Sequence, residues 1–431
     1  MRCSTVLAFA VLALSLGGLP AEAEGPRADR GPGQQAAPNP SHDRLRVFLD
    51  CHDCEFDYLR REIDFIDYVR DRTEADVHIL VTAQGTGSGG LEVALKFIGL
   101  GRFNGVDDEL KFATQPTSTS DERRSALARL LKLGLVRYVT STPMAERLQV
   151  VLKDADEDGK ESRTTPQNDP WNFWVFRTRA NTAFEGEERS QSRNFAAAFS
   201  ANRITEAWKI SSSAHLRFRQ NHYTLSDGGE LVDKSHEDEA SALVVKSLSD
   251  HWSAALHGRV GSTTFLNQDR RLRAGAGIEY SVFPYRTSAT KELTAQLTLG
   301  INHFDYTETT IYDKDRETVG DARLVTAFDL TQPWGSTEIT FEALAYLHDP
   351  GRHRLELDGR LDIRLFKGFS LSVEGAISRI RDQLYLPKGD ATDEEILLRR
   401  RQLATDYRYE FKTGFSYTFG SIFNNIVNTR F

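Results

Sequence analysis

Residues 407–419 read Tyr-Arg-Tyr-Glu-Phe-Lys-Thr-Gly-Phe-Ser-Tyr-Thr-Phe, so aromatic and polar side chains alternate over about 13 positions. Successive side chains of a β-strand point to opposite faces, which predicts one aromatic face and one charged or small face. A strand of about 5–6 residues is enough for the core of a soluble protein. A tilted strand needs about 9–11 residues to cross a bilayer. Length and alternation together predict a strand that crosses a membrane.

Similar segments recur upstream, and we count about twelve candidate strands from Trp171 onward. They are predicted over residues 172–184, 193–205, 209–222, 239–248, 252–265, 271–283, 292–306, 319–331, 336–347, 353–366, 369–381 and 406–419. Short turns at one end alternate with longer polar loops at the other, notably 226–238, 307–318 and 382–405. An even strand number with this asymmetry is typical of bacterial outer-membrane proteins. The predicted fold class is mainly β: an antiparallel transmembrane β-barrel of about 12 strands (171–431), preceded by a small periplasmic α/β domain.

All the tryptophans fall at the predicted short-turn ends of strands. They are Trp171, Trp174, Trp208, Trp252 and Trp334. An amphipathic ring is stable at the level of lipid headgroups, so these residues are predicted to form a membrane-interface girdle.

Charged side chains occupy the strand positions opposite the apolar ones and are predicted to line the lumen. A basic wall comprises Arg177, Arg179, Arg217, Arg219, Arg259 and Arg273, and an acidic wall comprises Glu338, Glu342, Glu356, Asp358, Asp362 and Glu374. Buried charges must pair or contact water. Two interpretations stay open: a transverse field across an open lumen, or a ladder of salt bridges that closes a narrow barrel.

The N-terminal residues predict export and a two-part organisation. Residues 1–23 have the positive end, apolar stretch and small-residue cleavage site of a signal peptide. Residues 24–44 have a linker composition, 45–153 are predicted to form the α/β domain, and 154–170 an acidic linker. A net charge of −8 with both signs abundant argues against a nucleic-acid partner.

The α/β domain is predicted in the order β-α-β-β-β-α-β. Strands are expected at 45–50, 77–82, 91–98, 109–113 and 147–153, with helices at 55–72 and 121–139. A capping box, Thr119 to Glu122, precedes the second helix. The glycine run 85–90 leads into a strand, which favours a hairpin loop over a phosphate-binding loop.

Two short motifs have several interpretations. Cys51 and Cys54 flank two residues between a strand and a helix, where a disulfide, a redox pair or a metal site are all conceivable; the disulfide is favoured in an oxidising compartment. Asp154, Asp156 and Asp158 match the start of a calcium loop, but position twelve is Thr165, so an acidic linker is favoured over a bound ion. No cofactor is predicted.

The segments 378–387, 399–405 and 417–421 resemble a family of bacterial outer-membrane barrel proteins of uncharacterised function, and the barrel is also similar to the salt-induced outer-membrane protein type. The front domain resembles periplasmic α/β domains of the TolB-N-terminal or curli-secretion type. The terminal Phe431, after an aromatic strand, resembles the assembly signal of such barrels. The resemblance implies a fold, an outer-membrane location with the α/β domain in the periplasm, and contact with outer-membrane lipid and the assembly machinery. It implies no substrate and no catalytic residues.

Three functions follow as hypotheses. The leading one is a barrel that passes or binds small hydrophilic solutes, whose periplasmic domain docks a protein or the cell wall. The alternative is a non-conducting barrel that anchors this domain for envelope assembly or secretion. A lipid hydrolase is the least favoured, because His215, His257 and His303 lie on strands without a recognisable nucleophile spacing.

Overall fold

The computed structural model describes residues 44–86, 89–151, 169–225, 227–389, 402–423 and 425–427. Within these ranges no helix is both long and apolar enough to span a membrane. The predicted signal peptide, the calcium-like aspartates Asp154, Asp156 and Asp158, and Phe431 all lie outside the described residues.

The first described part is an α/β domain with a five-stranded sheet in the order β2-β1-β3-β4-β5. Its elements are β1 (Arg46–Asp50), α1 (Phe56–Glu62), β2 (Asp67–Tyr68), β3 (Val77–Gly85), β4 (Leu91–Gly99), β5 (Asp108–Ala113) and α2 (Ser120–Val139). β1 pairs in parallel with β2 and β3, whereas β3, β4 and β5 form an antiparallel meander. β3 ends at Gly85 and β4 begins at Leu91, and the two strands pair as an antiparallel hairpin, as predicted.

Helix α2 begins as its sequence predicts. The Thr119 hydroxyl accepts a hydrogen bond from the Glu122 backbone, and the Glu122 carboxylate accepts one from the Thr119 backbone. This capping box satisfies two of the N–H groups that a helix start leaves unpaired. The buried face of α2 packs with apolar side chains of α1 and the sheet, including Leu59, Leu95 and Phe97.

Two predictions for this domain are wrong. The apolar spacing at 55–72 predicted one long helix, but α1 ends at Glu62 and residues 67–68 pair with β1 as an edge strand. Ile63 and Ile66 are buried in the irregular segment between α1 and β2, without helical backbone. Residues 147–153 were predicted as a strand; instead a short 3₁₀ helix covers Pro143–Arg147 and the described residues after it are irregular.

The second part is a twelve-stranded antiparallel sheet whose strands follow chain order. The strands are β6 (Trp174–Glu187), β7 (Ser190–Ile204), β8 (Trp208–Thr224), β9 (Glu230–Ser247), β10 (Trp252–Thr263), β11 (Gln268–Ser281), β12 (Lys291–Tyr306), β13 (Arg316–Gln332), β14 (Gly335–Tyr346), β15 (Asp349–Phe366), β16 (Phe369–Ile380) and β17 (Tyr407–Tyr417). All twelve predicted strands are present, so the mainly β prediction is confirmed.

The predicted outer loop at 226–238 is wrong, because β9 already begins at Glu230. Residues 230–238 are too polar to be recognised as a strand by hydrophobicity. Their pairing with β8 places alternate polar side chains on the charged face of the sheet, where polarity is no obstacle. The long connections at this end are therefore 307–315 and 381–406.

The two faces of the sheet have opposite exposure. On β12, Ile301 is 63% exposed, whereas its neighbour Asn302 is 6% exposed. Asp321, which shares the face of Asn302, is 1% exposed. A soluble sheet buries its apolar face; this one shields its polar face and presents its apolar face outward. We call the shielded face the inner face.

The sheet must curl around its inner face. In a flat sheet of twelve strands the outermost strands would lie roughly 50 Å apart. The α/β domain, roughly 35 Å across for its length, contacts both Arg177 on the first strand and the segment that follows the last one. Among the described residues β6 and β17 remain the two edges of the hydrogen-bonded order.

The segment after β17 leaves the sheet and joins the α/β domain. Phe423 forms an antiparallel bridge with Val69, and Arg70 donates its backbone N–H to Ile422 O at 3.0 Å. The side chain of Asn425 accepts a hydrogen bond from Tyr68 N at 2.6 Å and donates one to Asp67 at 2.8 Å. In its described part, this tail therefore covers the β2 edge instead of extending the last strand.

Candidate functional site

The pairing registers place the predicted lumen residues on the inner face. Arg259 lies opposite Arg273, and Glu342 lies opposite Glu356. The remaining members occupy the same face of their strands: Arg177, Arg179, Arg217, Arg219, Glu338, Asp358, Asp362 and Glu374. Whether they act as walls of a conducting lumen stays a prediction.

Much of the positive charge on this face is neutralised by carboxylates one or two strands away. Arg273 contacts Asp321 through two nitrogens, at 2.7 and 2.9 Å, and Asn302 donates to the same carboxylate at 2.6 Å. Glu239 pairs with Arg271 and, at 3.4 Å, with Arg259. The inner face is thus bridged by ion pairs from β9 to β13, in the manner of the predicted ladder.

The pairing continues on the later strands. Arg323 binds Glu342 through two hydrogen bonds at 2.6 and 2.8 Å. Arg360 contacts Asp362 at 2.7 Å, and Lys412 contacts Glu374 at 3.2 Å. Glu338, Glu356 and Asp358 have no ion-pair partner within 4.0 Å in the described part of the chain.

Several partners in this network were not predicted. Glu239, Asp321 and Arg323 are absent from the predicted walls, because the sign of a charge along the chain does not reveal which strands bring opposite charges together. The usable signal was alternation itself: each lies an even number of residues from other inner positions of its strand. Which charge meets which depends on register, and that requires the structure.

The tryptophans predicted to form the girdle lie at one end of the sheet. Trp174, Trp208 and Trp252 begin β6, β8 and β10, and Trp208 and Trp252 are exposed on the outer face. Trp171 is exposed just before β6. Trp334 lies in the β13–β14 turn and lines a cavity of about 580 Å³ together with Phe48 of the α/β domain.

At the opposite end, residues 382–388 fold against the inner face; we call them the strap. Leu384 is 1% exposed and packs in a cluster with Phe304, Tyr306, Val319 and Tyr346. Asp382 pairs with Arg354 at 3.1 Å. Backbone bonds join the strap to the 307–315 loop, from Ile311 N to Leu386 O and from Lys388 N to Thr309 O, each 2.8 Å. The strap therefore fills part of the polar interior at the end opposite the α/β domain.

The α/β domain lies at the short-turn end. Asp50 accepts two hydrogen bonds from Arg364, Lys367 pairs with Glu74, and Gly368 N donates to Asp71 at 2.9 Å. Burial alone would raise the pKa of Asp50, but hydrogen bonds from His78 and Arg364 outweigh it and lower that pKa to about 2.

A cavity of about 820 Å³ lies between this domain and the inner face. The α/β domain contributes Asp50, Leu80 and Thr82, and the sheet contributes Arg360 and Glu338. Its wall carries both signs of charge, which suits a polar molecule better than an apolar one.

The cysteines and histidines of the described residues are candidates for metal binding and catalysis. Cys51 and Cys54 are joined in a disulfide. No set of three or more His, Cys, Asp or Glu residues suited to a metal ion occurs among the described residues. His257 contacts Arg273, and His303 contacts Thr318 at 2.7 Å. A serine–histidine contact, His236 to Ser262 at 2.8 Å, has no carboxylate or amide on the second ring nitrogen within the described ranges.

Comparisons with known proteins add little. No family model matches the chain, and no curated protein matches it. Among the solved structures that match, that of the NanC porin in a rhombohedral crystal form aligns with 56% of this chain and 99% of its own chain, at 8% identity and a TM-score of 0.27. Likeness at this level supports no conclusion about this chain. The class rests on the fold itself: a twelve-stranded antiparallel sheet with an apolar outer face and a shielded polar inner face, joined to a small α/β domain.

Proposed function

We propose that this protein is a bacterial outer-membrane β-barrel whose polar interior binds or passes small hydrophilic solutes, with the α/β domain on the periplasmic side. The observation that carries the proposal is the inverted exposure of the sheet, in which Ile301 faces outward and Asn302 is shielded. Lipid is the environment in which an exposed apolar face is stable. Because a sheet crosses a bilayer only when its backbone groups are paired, the proposal includes closure of the sheet between its edge strands β6 and β17.

The paired charges bear on the class of solute. Arg259, Arg273 and Glu342 each have an opposite charge within reach, so the field across the interior is weaker than two separated walls would produce. Small solutes of low net charge therefore suit the interior better than strongly charged ones.

Conductance of the full chain in a planar bilayer tests this proposal. We expect discrete channel steps and, under a salt gradient, a reversal potential close to zero. A solute pathway would be contradicted if the folded protein showed no conductance, and if variants that disturb the strap or the α/β domain showed none either.

A non-conducting anchor is the second candidate, favoured by the strap and by the α/β domain at the two ends of the interior. This candidate predicts that no variant conducts ions in a planar bilayer. A lipid hydrolase is supported by the serine–histidine contact from His236 to Ser262. Ser262→Ala, compared with Ser213→Ala in a phospholipid hydrolysis assay, would reveal it as a selective loss of activity.

A further inference from the structure

The five-stranded sheet of the α/β domain has one face without helices. The faces alternate along β3: Val77 and Ile79 belong to the core shared with the helices, whereas His78 and Leu80 point to the other face. His78 and Leu80 are nevertheless buried. Leu80 lines the cavity shared with the inner face, and the Arg364 guanidinium lies 5.3 Å from the ring of Phe48. The large sheet thus covers the helix-free face.

The contacts between the two parts are distributed unevenly. On one side, the β15–β16 turn and the tail make a dense set of contacts: Asp50 with Arg364, Glu74 with Lys367, Asp71 with Gly368, and Asn425 with β2. On the other side, one described hydrogen bond reaches β6, from Arg177 to Gly89 O at 3.1 Å.

From this asymmetry we propose that the α/β domain is a hinged lid over the short-turn end of the interior. The β15–β16 turn and the tail form the hinge, and the bond from Arg177 to Gly89 is the clasp. Opening lifts the domain from β6 while the hinge contacts persist. In this role the α/β domain gates the interior. The movement itself does not depend on the proposed solute pathway, but its effect on transport does.

Arg177 and Arg179 provide a matched pair for the test. They are two residues apart on β6, share the inner face, and differ in that Arg177 contacts the lid. Arg177→Ala and Arg179→Ala remove the same charge from the interior, so a difference between them reports the clasp rather than electrostatics.

Lid position is measured in the full chain reconstituted in vesicles, by spin-label distances between Leu133→Cys on α2 and Leu248→Cys at the β9–β10 turn. Both side chains are exposed. We expect Arg177→Ala to add a longer distance and to increase the open fraction about tenfold, as loss of one charge-assisted hydrogen bond permits, while Arg179→Ala matches the parent.

The same variants are then compared by conductance. Identical distance distributions for Arg177→Ala and Arg179→Ala would overturn the lid, whatever the conductance. A longer distance in Arg177→Ala with silence in all variants would support the lid and contradict the solute pathway. More frequent opening in Arg177→Ala alone would support both.

Discussion

The carboxylate of Asp50, at the end of the first strand of the α/β domain, accepts two hydrogen bonds from the guanidinium of Arg364 on β15, at 2.5 and 2.6 Å. His78, buried in the same domain, contacts this carboxylate at 3.2 Å. The helix-free face of the α/β domain and the inner face of the sheet are therefore joined at this carboxylate. Such a carboxylate stabilises the junction only while it is ionised.

Asp50 should make the stability of the α/β domain depend on pH. Because its folded pKa of about 2 lies below the usual value of 3.8, the stabilisation is present above about pH 4 and is lost as pH falls towards 2. The shift corresponds to about 2 kcal/mol. The helical circular dichroism signal, followed through thermal unfolding between pH 7 and pH 2, measures it. Asp50→Asn should remove this acid-dependent part, and an unchanged pH profile in that variant would refute the assignment.

The capping box of α2 gives a second test. Thr119→Ala removes the acceptor for the Glu122 N–H and should lower the free energy of unfolding of the α/β domain by about 1 kcal/mol. Denaturant unfolding followed at the helical signal reports the change. Thr117→Ala, on the exposed loop just before the cap, is the control and should leave the midpoint where it is.

Gly134 should resist substitution although it lies inside a helix. Alanine ordinarily favours a helix over glycine by about 1 kcal/mol, but a Cβ at this position would overlap the ring of Phe97. Phe97 is fully buried and cannot move freely. Gly134→Ala should therefore destabilise the domain by about 1–3 kcal/mol in denaturant unfolding. Arg129→Ala, at an exposed position of the same helix, serves as comparison. A stabilised Gly134→Ala variant would show that the packing is looser than described.

The pair of Arg323 and Glu342 tests the ladder on the inner face. Replacing either residue alone by glutamine or alanine leaves the other charge without its partner, whereas replacing both removes the charge altogether. We expect each single variant to be less stable than the double variant in urea unfolding from lipid vesicles. The interaction is about 1 kcal/mol, since both side chains are partly exposed. If the effects of the two single substitutions on the free energy of unfolding add up to that of the double substitution, the ion pair does not contribute to stability.

The strap should loosen when its buried leucine is shortened. Leu384→Ala leaves a cavity in the cluster with Phe304 and Tyr346 and costs about 2–4 kcal/mol locally. Hydrogen exchange of Ile311 N–H, which donates to Leu386 O, should become faster by at least tenfold. Leu403→Ala, at an exposed position, is the control. An unchanged exchange rate at Ile311 would show that the packing of Leu384 does not protect this N–H group.

The strands were predictable because period-two alternation is a local property. Tyr407 to Tyr417 could be recognised from its own residues, as could the start of α2 from Thr119 and Glu122. Prediction failed at the start of β9, where both faces are polar: Asp233 and Glu237 lie on the inner face, whereas Glu230, Lys234 and Asp238 lie on the outer face. The three-residue spacing of Ile63 and Ile66 fits a helix, but both side chains are buried from the irregular segment between α1 and β2.

The site was predictable in composition but not in geometry. Inward positions followed from alternation, whereas the partners of Arg273 and Arg259 depended on register between strands. The strap, the tail and the contact from Asp50 to Arg364 join residues far apart in sequence. No local pattern encodes such contacts, because the energy that stabilises them arises only after both parts have folded.

The most direct test of the central claim concerns which face of the sheet meets lipid. Single nitroxide labels along β12, from residue 296 to 303, would be compared for collision with oxygen, which partitions into the bilayer, and with a water-soluble nickel complex. We predict a period of two, with Leu297, Leu299 and Ile301 favouring oxygen and Thr298 and Asn302 not. A reversed pattern, or none, would contradict a membrane-spanning sheet with a polar interior.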